Sequence, residues 1–249
     1  MIFSEKQNLR KIAFTENSNG LYFFEDKSKK IFFDAVQPTS SNHSKKLSAG
    51  TLSIEFSSDK EKIITNCGAL NKTTGNAAYL RYSAAHSTII LENTNISEIR
   101  DNQPHIKYPQ MVTFKNQKEK SKYTIEVSHN GYIKNHKKIV KRKIHFEENK
   151  DFLMGEDSII SSTSKNKEIV FHIRFHILPN IILTQTNNKK NIILKTKNDK
   201  IWVFKSNKDL FLEESVFIDK NISKETKQIV IQGITKKSRE QIQWSLSKR

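Results

Sequence analysis

Glycine is scarce in this chain: seven residues in 249, none beside another. That scarcity argues against a phosphate-cradling loop. The sequence also holds no G-x-S-x-G elbow, no C-x-x-C and no H-E-x-x-H. A single cysteine, Cys67 in IITNCGAL, excludes a disulfide within the chain. At a strand end it reads as a small buried hydrophobe rather than a nucleophile. No apolar run approaches the roughly eighteen residues of a membrane helix, so no membrane partner is expected. The opening MIFSEKQNLRKIAF has no continuous apolar stretch of signal-peptide length, so export is not supported by it. Acidic residues are few, 26 against 43 basic ones, for a net charge of +17. Only seven of the basic residues are Arg. The shared abundance of Lys, Ile and Asn indicates a low-GC codon bias that accounts for much of this charge. The remainder favours a polyanionic partner, nucleic acid or an acidic polysaccharide. Nucleic acid is the weaker of the two, because the lysines are evenly spread. No aromatic-rich β-platform or Arg-rich arm stands at a recognisable spacing.

The dominant period is two. TLSIEF at 51–56, YTIEV at 123–127 and IVKRKIHF at 139–146 all alternate. Further strands are expected at Ile12–Phe14, Leu21–Phe24, Ile31–Phe33, Ile169–Leu178, Ile192–Thr196, Ile201–Lys205, Leu210–Ile218, Gln228–Gln232 and Gln241–Leu246. Polar turns separate them at intervals of about 8–12 residues. Asn-Gly at 19–20 and 130–131 marks two tight turns. No amphipathic helix exceeds two turns, and no 20–50-residue repeat appears. The polar loop VQPTSSNHSKKLSAG is the one plausible internal boundary, yet the strands on both sides look alike. The reading is therefore all-β: one domain over residues 1–249, a large antiparallel β-sandwich with little helix.

Eight histidines, at 43, 86, 105, 129, 136, 145, 172 and 176, carry most of the chemical interest. His145 and His172 lie within alternating strands and read as face residues. His86 in RYSAAHSTII, His129 in VSHNGY and His176 in HIRFHILP each fall at a strand end or in a denser pattern. An imidazole titrating near neutrality is the side chain most used for proton transfer and a common zinc ligand. Each is also compatible with simple packing.

The order LSAGTLSIEFSSDKEKIITNCGA, LRYSAAHSTIILENTN, VSHNGY and IRFHILP resembles the C-terminal β-sheet domain of the heparinase II/III family, which are polysaccharide lyases. The resemblance runs from about Ile12 to the terminal WSL, and SAAHST matches the family's a-H-N-T strand. In that family a helical N-terminal toroid faces the sandwich across the substrate cleft. The resemblance therefore implies an acidic, uronic-acid polysaccharide as partner and β-elimination as the reaction, with this domain incomplete alone; the alternative is a non-catalytic carbohydrate-binding sandwich. It also implies a toroid held on a separate domain or chain, and a cell-envelope setting. Two segments depart from the family pattern. Lys46–Gly50 stands where H-x-H-x-D is usual, and Asn66-Cys67-Gly68 replaces a D-x-G turn. Of three zinc ligands in the metal-bearing members only His86 is retained, with Ser48 and Asn66 at the others. No metal and no cofactor are expected.

A lyase of this class removes the proton beside the sugar carboxylate and expels the glycosidic oxygen. It needs a base, an acid and a group that neutralises the carboxylate. The candidates are His86 with Tyr82, and His129 with Tyr132, for proton transfer, and Arg81, Arg174 and His176 for holding the substrate. His86 is expected at a strand start, partly exposed. Neighbours on an extended strand face opposite ways, so Arg81 and Tyr82 share a site only if the chain bends there.

Overall fold

A computed structural model describes residues 15–17, 20–69, 78–100 and 103–249. The expected strand at Ile12–Phe14 and the Asn19 half of the first Asn-Gly turn lie outside the described residues. Seventeen strands occur among the described residues. The first nine are β1 (Thr15–Asn17), β2 (Leu21–Glu25), β3 (Lys29–Asp34), β4 (Ile54–Ser58), β5 (Glu61–Thr65), β6 (Ile89–Leu91), β7 (Val112–Glu119), β8 (Lys122–His129) and β9 (Lys138–Glu147). The other eight are β10 (Phe152–Ser161), β11 (Val170–Ile177), β12 (Ile182–Gln185), β13 (Asn191–Lys195), β14 (Ile201–Ser206), β15 (Leu210–Asp219), β16 (Ile222–Ile234) and β17 (Arg239–Lys248). Helix is confined to one turn, α1 (Ile133–His136), and three short 3-10 turns.

The strands form two antiparallel sheets packed as a sandwich. The first runs β1-β2-β3-β4-β5-β11-β16-β15, with β6 also pairing β11; the second runs β12-β13-β14-β17-β10-β9-β8-β7. Alternation places the core. In β8 and β9 every second residue is buried, so Tyr123, Ile125, Val127, Val140, Ile144 and Phe146 face the first sheet. Aromatic contacts stitch the sheets together. Tyr22 stacks on Phe114 and Phe24 meets both Tyr123 and Phe146, while Phe56 meets Trp202, and Phe175 meets Phe204 and Trp244.

At the centre of this apolar layer lies one ion pair. Arg142 on β9 donates from Nε and Nη2 to both carboxylate oxygens of Asp157 on β10, at 2.7 and 2.8 Å. Neither side chain reaches solvent. Trp244 Nε1–H also donates to Asp157, and the guanidinium lies over the Phe175 and Trp244 rings. From Nη1 the arginine reaches across the sandwich to the carbonyls of Leu52, at 3.0 Å, and Ser87, at 2.7 Å. Every donor of the guanidinium fork with a named partner is thus paired, which a buried charge requires.

Several strands depart from the sequence-based expectation. β5, β7, β10 and β12 were not foreseen. β7, at the edge of its sheet, is mostly exposed and polar, so it carries no apolar alternation. In β10, Gly155, Glu156 and Asp157 interrupt the pattern, because Asp157 is an inward residue that meets Arg142. Thr51–Ser53, expected to open β4, is instead a turn with Leu52 at φ 73°. A buried leucine there is strained, and the Arg142 bond to its carbonyl helps to hold it.

Candidate functional site

The described parts of three long connections come together beside the sheets: residues 35–53, 66–69 with 78–88, and 92–100 with 103–111. Their backbones are sewn together by short polar bonds. Ala49 N–H donates to the Arg81 carbonyl, and Cys67 N–H to Ala85. Ser83 Oγ donates to the Ala49 carbonyl and accepts from Ile96 N–H, and Ser83 N–H donates to Asn95 Oδ1. The side chain of Asn66 accepts from Ser87 N–H at 2.8 Å and donates to Glu55. Residues 78–81 and 83–85 each form a 3-10 turn, so the chain bends at Tyr82 as the sharing of one site by neighbours would require.

The bend separates the roles of Arg81 and Tyr82. Arg81 turns inward and is buried, donating from Nε to the Leu47 carbonyl at 3.0 Å and from Nη1 towards that of Arg100. It ties loops together rather than facing a ligand. Tyr82 turns outward and is 37% exposed. It forms the ridge between two cavities, lining both.

His86 follows the second 3-10 turn and precedes β6. Its partial exposure is not found: the residue is 9% accessible, packed against Gly50, and its Nε2 has no hydrogen-bond partner. Burial lowers its pKa to about 4, so the ring is neutral at pH 7. A Cβ added at Gly50 would lie 3.0 Å from His86 Nδ1 and 3.3 Å from Asp34 Oδ2, so only glycine fits between them without a shift. Burial raises the Asp34 carboxyl to about 6 even though it accepts a bond from Val36 N–H.

His129 and Tyr132 are likewise enclosed. His129 Nδ1 accepts from Gly131 N–H, so the ring proton sits on Nε2, which is buried without a partner. Burial lowers its pKa to about 3. The Tyr132 hydroxyl lies 3.2 Å from the carbonyls of both Ile89 and Thr94, and burial raises its pKa. The two rings lie 5.6 Å apart, brace the turn after β6 and are closed off from solvent. Arg174 pairs with Glu213 at 2.6 Å.

His176 is buried but contributes to a cavity floor. Its Nε2 donates to the Ala84 carbonyl at 3.0 Å, which leaves Nδ1 to accept from Ser215 Oγ at 2.8 Å. Cys67 Sγ lies 3.5 Å from the same nitrogen. Burial, with the nearby His86, lowers the His176 pKa to about 3, and burial raises that of the thiol. Cys67 is therefore a buried thiol, as read from the sequence, but beside a histidine. Ser215, Gln228, Glu214 and Glu225, which complete this cavity, gave no signal in the sequence beyond their place in strands.

The second cavity, about 750 Å³, lies on the other side of Tyr82. Its wall carries the amides Asn95, Gln110, Asn130 and Asn135, Lys134, Lys107 paired with Glu98 at 2.7 Å, and Ser97, whose buried hydroxyl has no partner.

The zinc that the resemblance raises does not fit these residues. The Asn66 amide is committed on both sides, and a neutral amide is a poor zinc ligand. Among the described residues no three His, Cys, Asp or Glu side chains converge on one point. No helix among them is long and apolar enough to cross a membrane.

Comparison with known proteins matches this arrangement to a family. The profile described as Heparinase II/III-like, C-terminal, covers residues 11–245. The chain belongs to that family. Among solved structures it is similar to the heparan sulfate lyase HepC of Pedobacter heparinus, with a TM-score of 0.75 and 13% identity. That superposition covers 92% of this chain and 35% of the lyase. Two heparinase III structures superpose with TM-scores of 0.74 and 0.73, at 10% and 11% identity, covering 93% and 92% of this chain and 35% of theirs. No curated protein sequence matches. The heparinase II/III-like sandwich thus spans about a third of the length of these enzymes, and the likeness at such identity is one of fold.

Proposed function

We propose that this heparinase II/III-like sandwich forms one wall of a polysaccharide-lyase cleft and holds an acidic, uronic-acid polysaccharide across Tyr82. A helical toroid domain or chain supplies the opposite wall. The observation that carries the reading is the placement of Tyr82. It alone of the seven candidate residues is exposed, and it stands between two cavities of about 750 and 710 Å³. An aromatic face flanked by amides and lysines suits a sugar ring with hydroxyl and carboxylate groups.

In β-elimination a base removes the proton beside the carboxylate, the bond to the glycosidic oxygen breaks, and that oxygen takes up a proton. Tyr82 can serve one of these proton transfers. His86, His129 and Tyr132 are enclosed and cannot supply the second. The complementary group therefore belongs to the toroid, and the sandwich alone binds without cleaving.

The test incubates the chain with heparin-like, chondroitin-like and alginate polymers, following both binding and the ultraviolet absorbance of an unsaturated uronate. Binding at low salt, weakening as salt rises, and a flat absorbance trace are expected. Tyr82→Ala should weaken binding at least tenfold without changing the melting temperature. Cleavage by the chain alone would overturn the two-wall arrangement, and absence of binding at low salt would overturn the carbohydrate reading.

A further inference from the structure

The cavity on the His176 side of Tyr82 differs in chemistry from its neighbour. Among the described residues lining it there is no lysine or arginine, although the chain carries +17 overall. Its floor is Cys67, His176 and Ser215, all uncharged at neutral pH. Its rim holds two tyrosines, Tyr79 at 45% exposure and Tyr82, and two carboxylates, Glu214 and Glu225. Glu214 has one weak ion pair, 3.7 Å to Lys227, with both side chains exposed. The remaining polar groups are acceptors. Gln228, 7% exposed, donates from Nε2 to the Glu214 carbonyl, which leaves its Oε1 buried on the cavity side with no donor. His176 Nδ1 is already occupied by the Ser215 hydroxyl, so Gln228 Oε1 is the buried acceptor left open in the lining.

We infer that this cavity binds a sugar bearing a free protonated amine. Two tyrosine faces and two carboxylates attract an ammonium group, and the open Gln228 acceptor takes up a ring hydroxyl. A sulfate or carboxylate would meet two carboxylates at the rim, with Lys227 weakly paired to one of them. The inference rests on the carbohydrate reading of the Tyr82 ridge and extends it. The lysine and amide cavity takes the uronate, and this one takes the neighbouring amino sugar in its unsubstituted form. Substitution of that nitrogen by acetyl or sulfate removes the cation and is rejected.

Calorimetry with three short probes tests this: a glucosamine trisaccharide, its N-acetylated counterpart and an oligouronate. The glucosamine trisaccharide should bind at least tenfold more tightly than the N-acetylated one, although the net charge of the protein repels it. Glu214→Gln/Glu225→Gln should abolish that preference and leave the oligouronate unaffected. Lys107→Gln/Lys134→Gln should do the reverse. Equal binding of the two trisaccharides, or a preference that survives loss of both carboxylates, overturns the inference even if the oligouronate binds. Failure of the oligouronate alone overturns the cleft reading and leaves the amine cavity standing.

Discussion

Acid should destabilise this fold between pH 7 and 5, above the ordinary carboxylate range, and three buried histidines set the size of the effect. His86, His129 and His176 have folded pKa values of about 4, 3 and 3, all lowered first by burial. In the unfolded chain each returns to about 6.5. Between those limits the unfolded state binds three protons that the folded state refuses, so stability is fully present above about pH 6.5 and falls as pH drops. Each contributes up to about 1.4 kcal/mol per pH unit, or about 2 kcal/mol between pH 7 and 5. Asp34 acts in the opposite sense. Its carboxyl is raised to about 6 by burial, so the folded state binds that proton first and regains about 1 kcal/mol over the same interval. The net loss from pH 7 to 5 is about 4–5 kcal/mol, a large part of the 5–15 typical of a domain. Burial also lowers His105, His136, His145 and His172, in the same direction. Urea titrations at pH 7, 6 and 5, read by Trp202 and Trp244 fluorescence, measure the slope. His129→Gln should remove roughly a third of the histidine contribution. A stability that changes by less than about 1 kcal/mol from pH 7 to 5 would refute the reasoning, as would imidazole resonances of His129 or His176 titrating near 6.5.

Arg142→Met should cost about 3–5 kcal/mol, because it leaves the Asp157 carboxylate buried with Trp244 as its one named side-chain donor. Adding Asp157→Leu should recover much of that loss, and a double-mutant cycle in urea measures the coupling. Gly155→Ala should be destabilising by at least 1–3 kcal/mol, roughly, since the new Cβ would lie 2.1 Å from the Trp244 ring; thermal unfolding checks it. A chelator should leave the melting temperature unchanged, and elemental analysis should find well under one zinc per chain. One tightly held zinc would show that Ser48 or Asn66 had been misjudged.

The architecture was legible because most strands have one wet face. Tyr123–Val127 and Ile139–Phe146 alternate cleanly, and both became strands in that register. The edge strand β7 is polar after Phe114 and β10 hides a charged residue in the core, so neither sustains the alternation that betrays a strand. The site was legible only in part. SAAHST marked a segment that lies beside the two cavities, but the sequence could not show that Arg81 turns inward to carbonyls while Tyr82 turns out. His129 and Tyr132 look reactive as a pair, yet burial and backbone bonds decide their environment. Cys67, His176 and Ser215 meet across 148 residues of chain, a convergence that local spacing cannot announce.

The reach of Arg142 to Leu52 and Ser87 has a consequence for how the molecule opens. Those carbonyls belong to the connections that carry Gly50 and His86, so the wall proposed for the cleft is anchored in the interior of the opposite sheet. The wall takes its final shape only when the two sheets have docked, and it cannot loosen without exposing a bare guanidinium to the core. Amides around 49–53 and 83–88 therefore exchange with solvent by global rather than local opening, unlike most surface connections. A polymer or a second domain arriving at Tyr82 meets a surface already ordered, and the ordering entropy that a mobile loop would lose on binding was lost on folding instead.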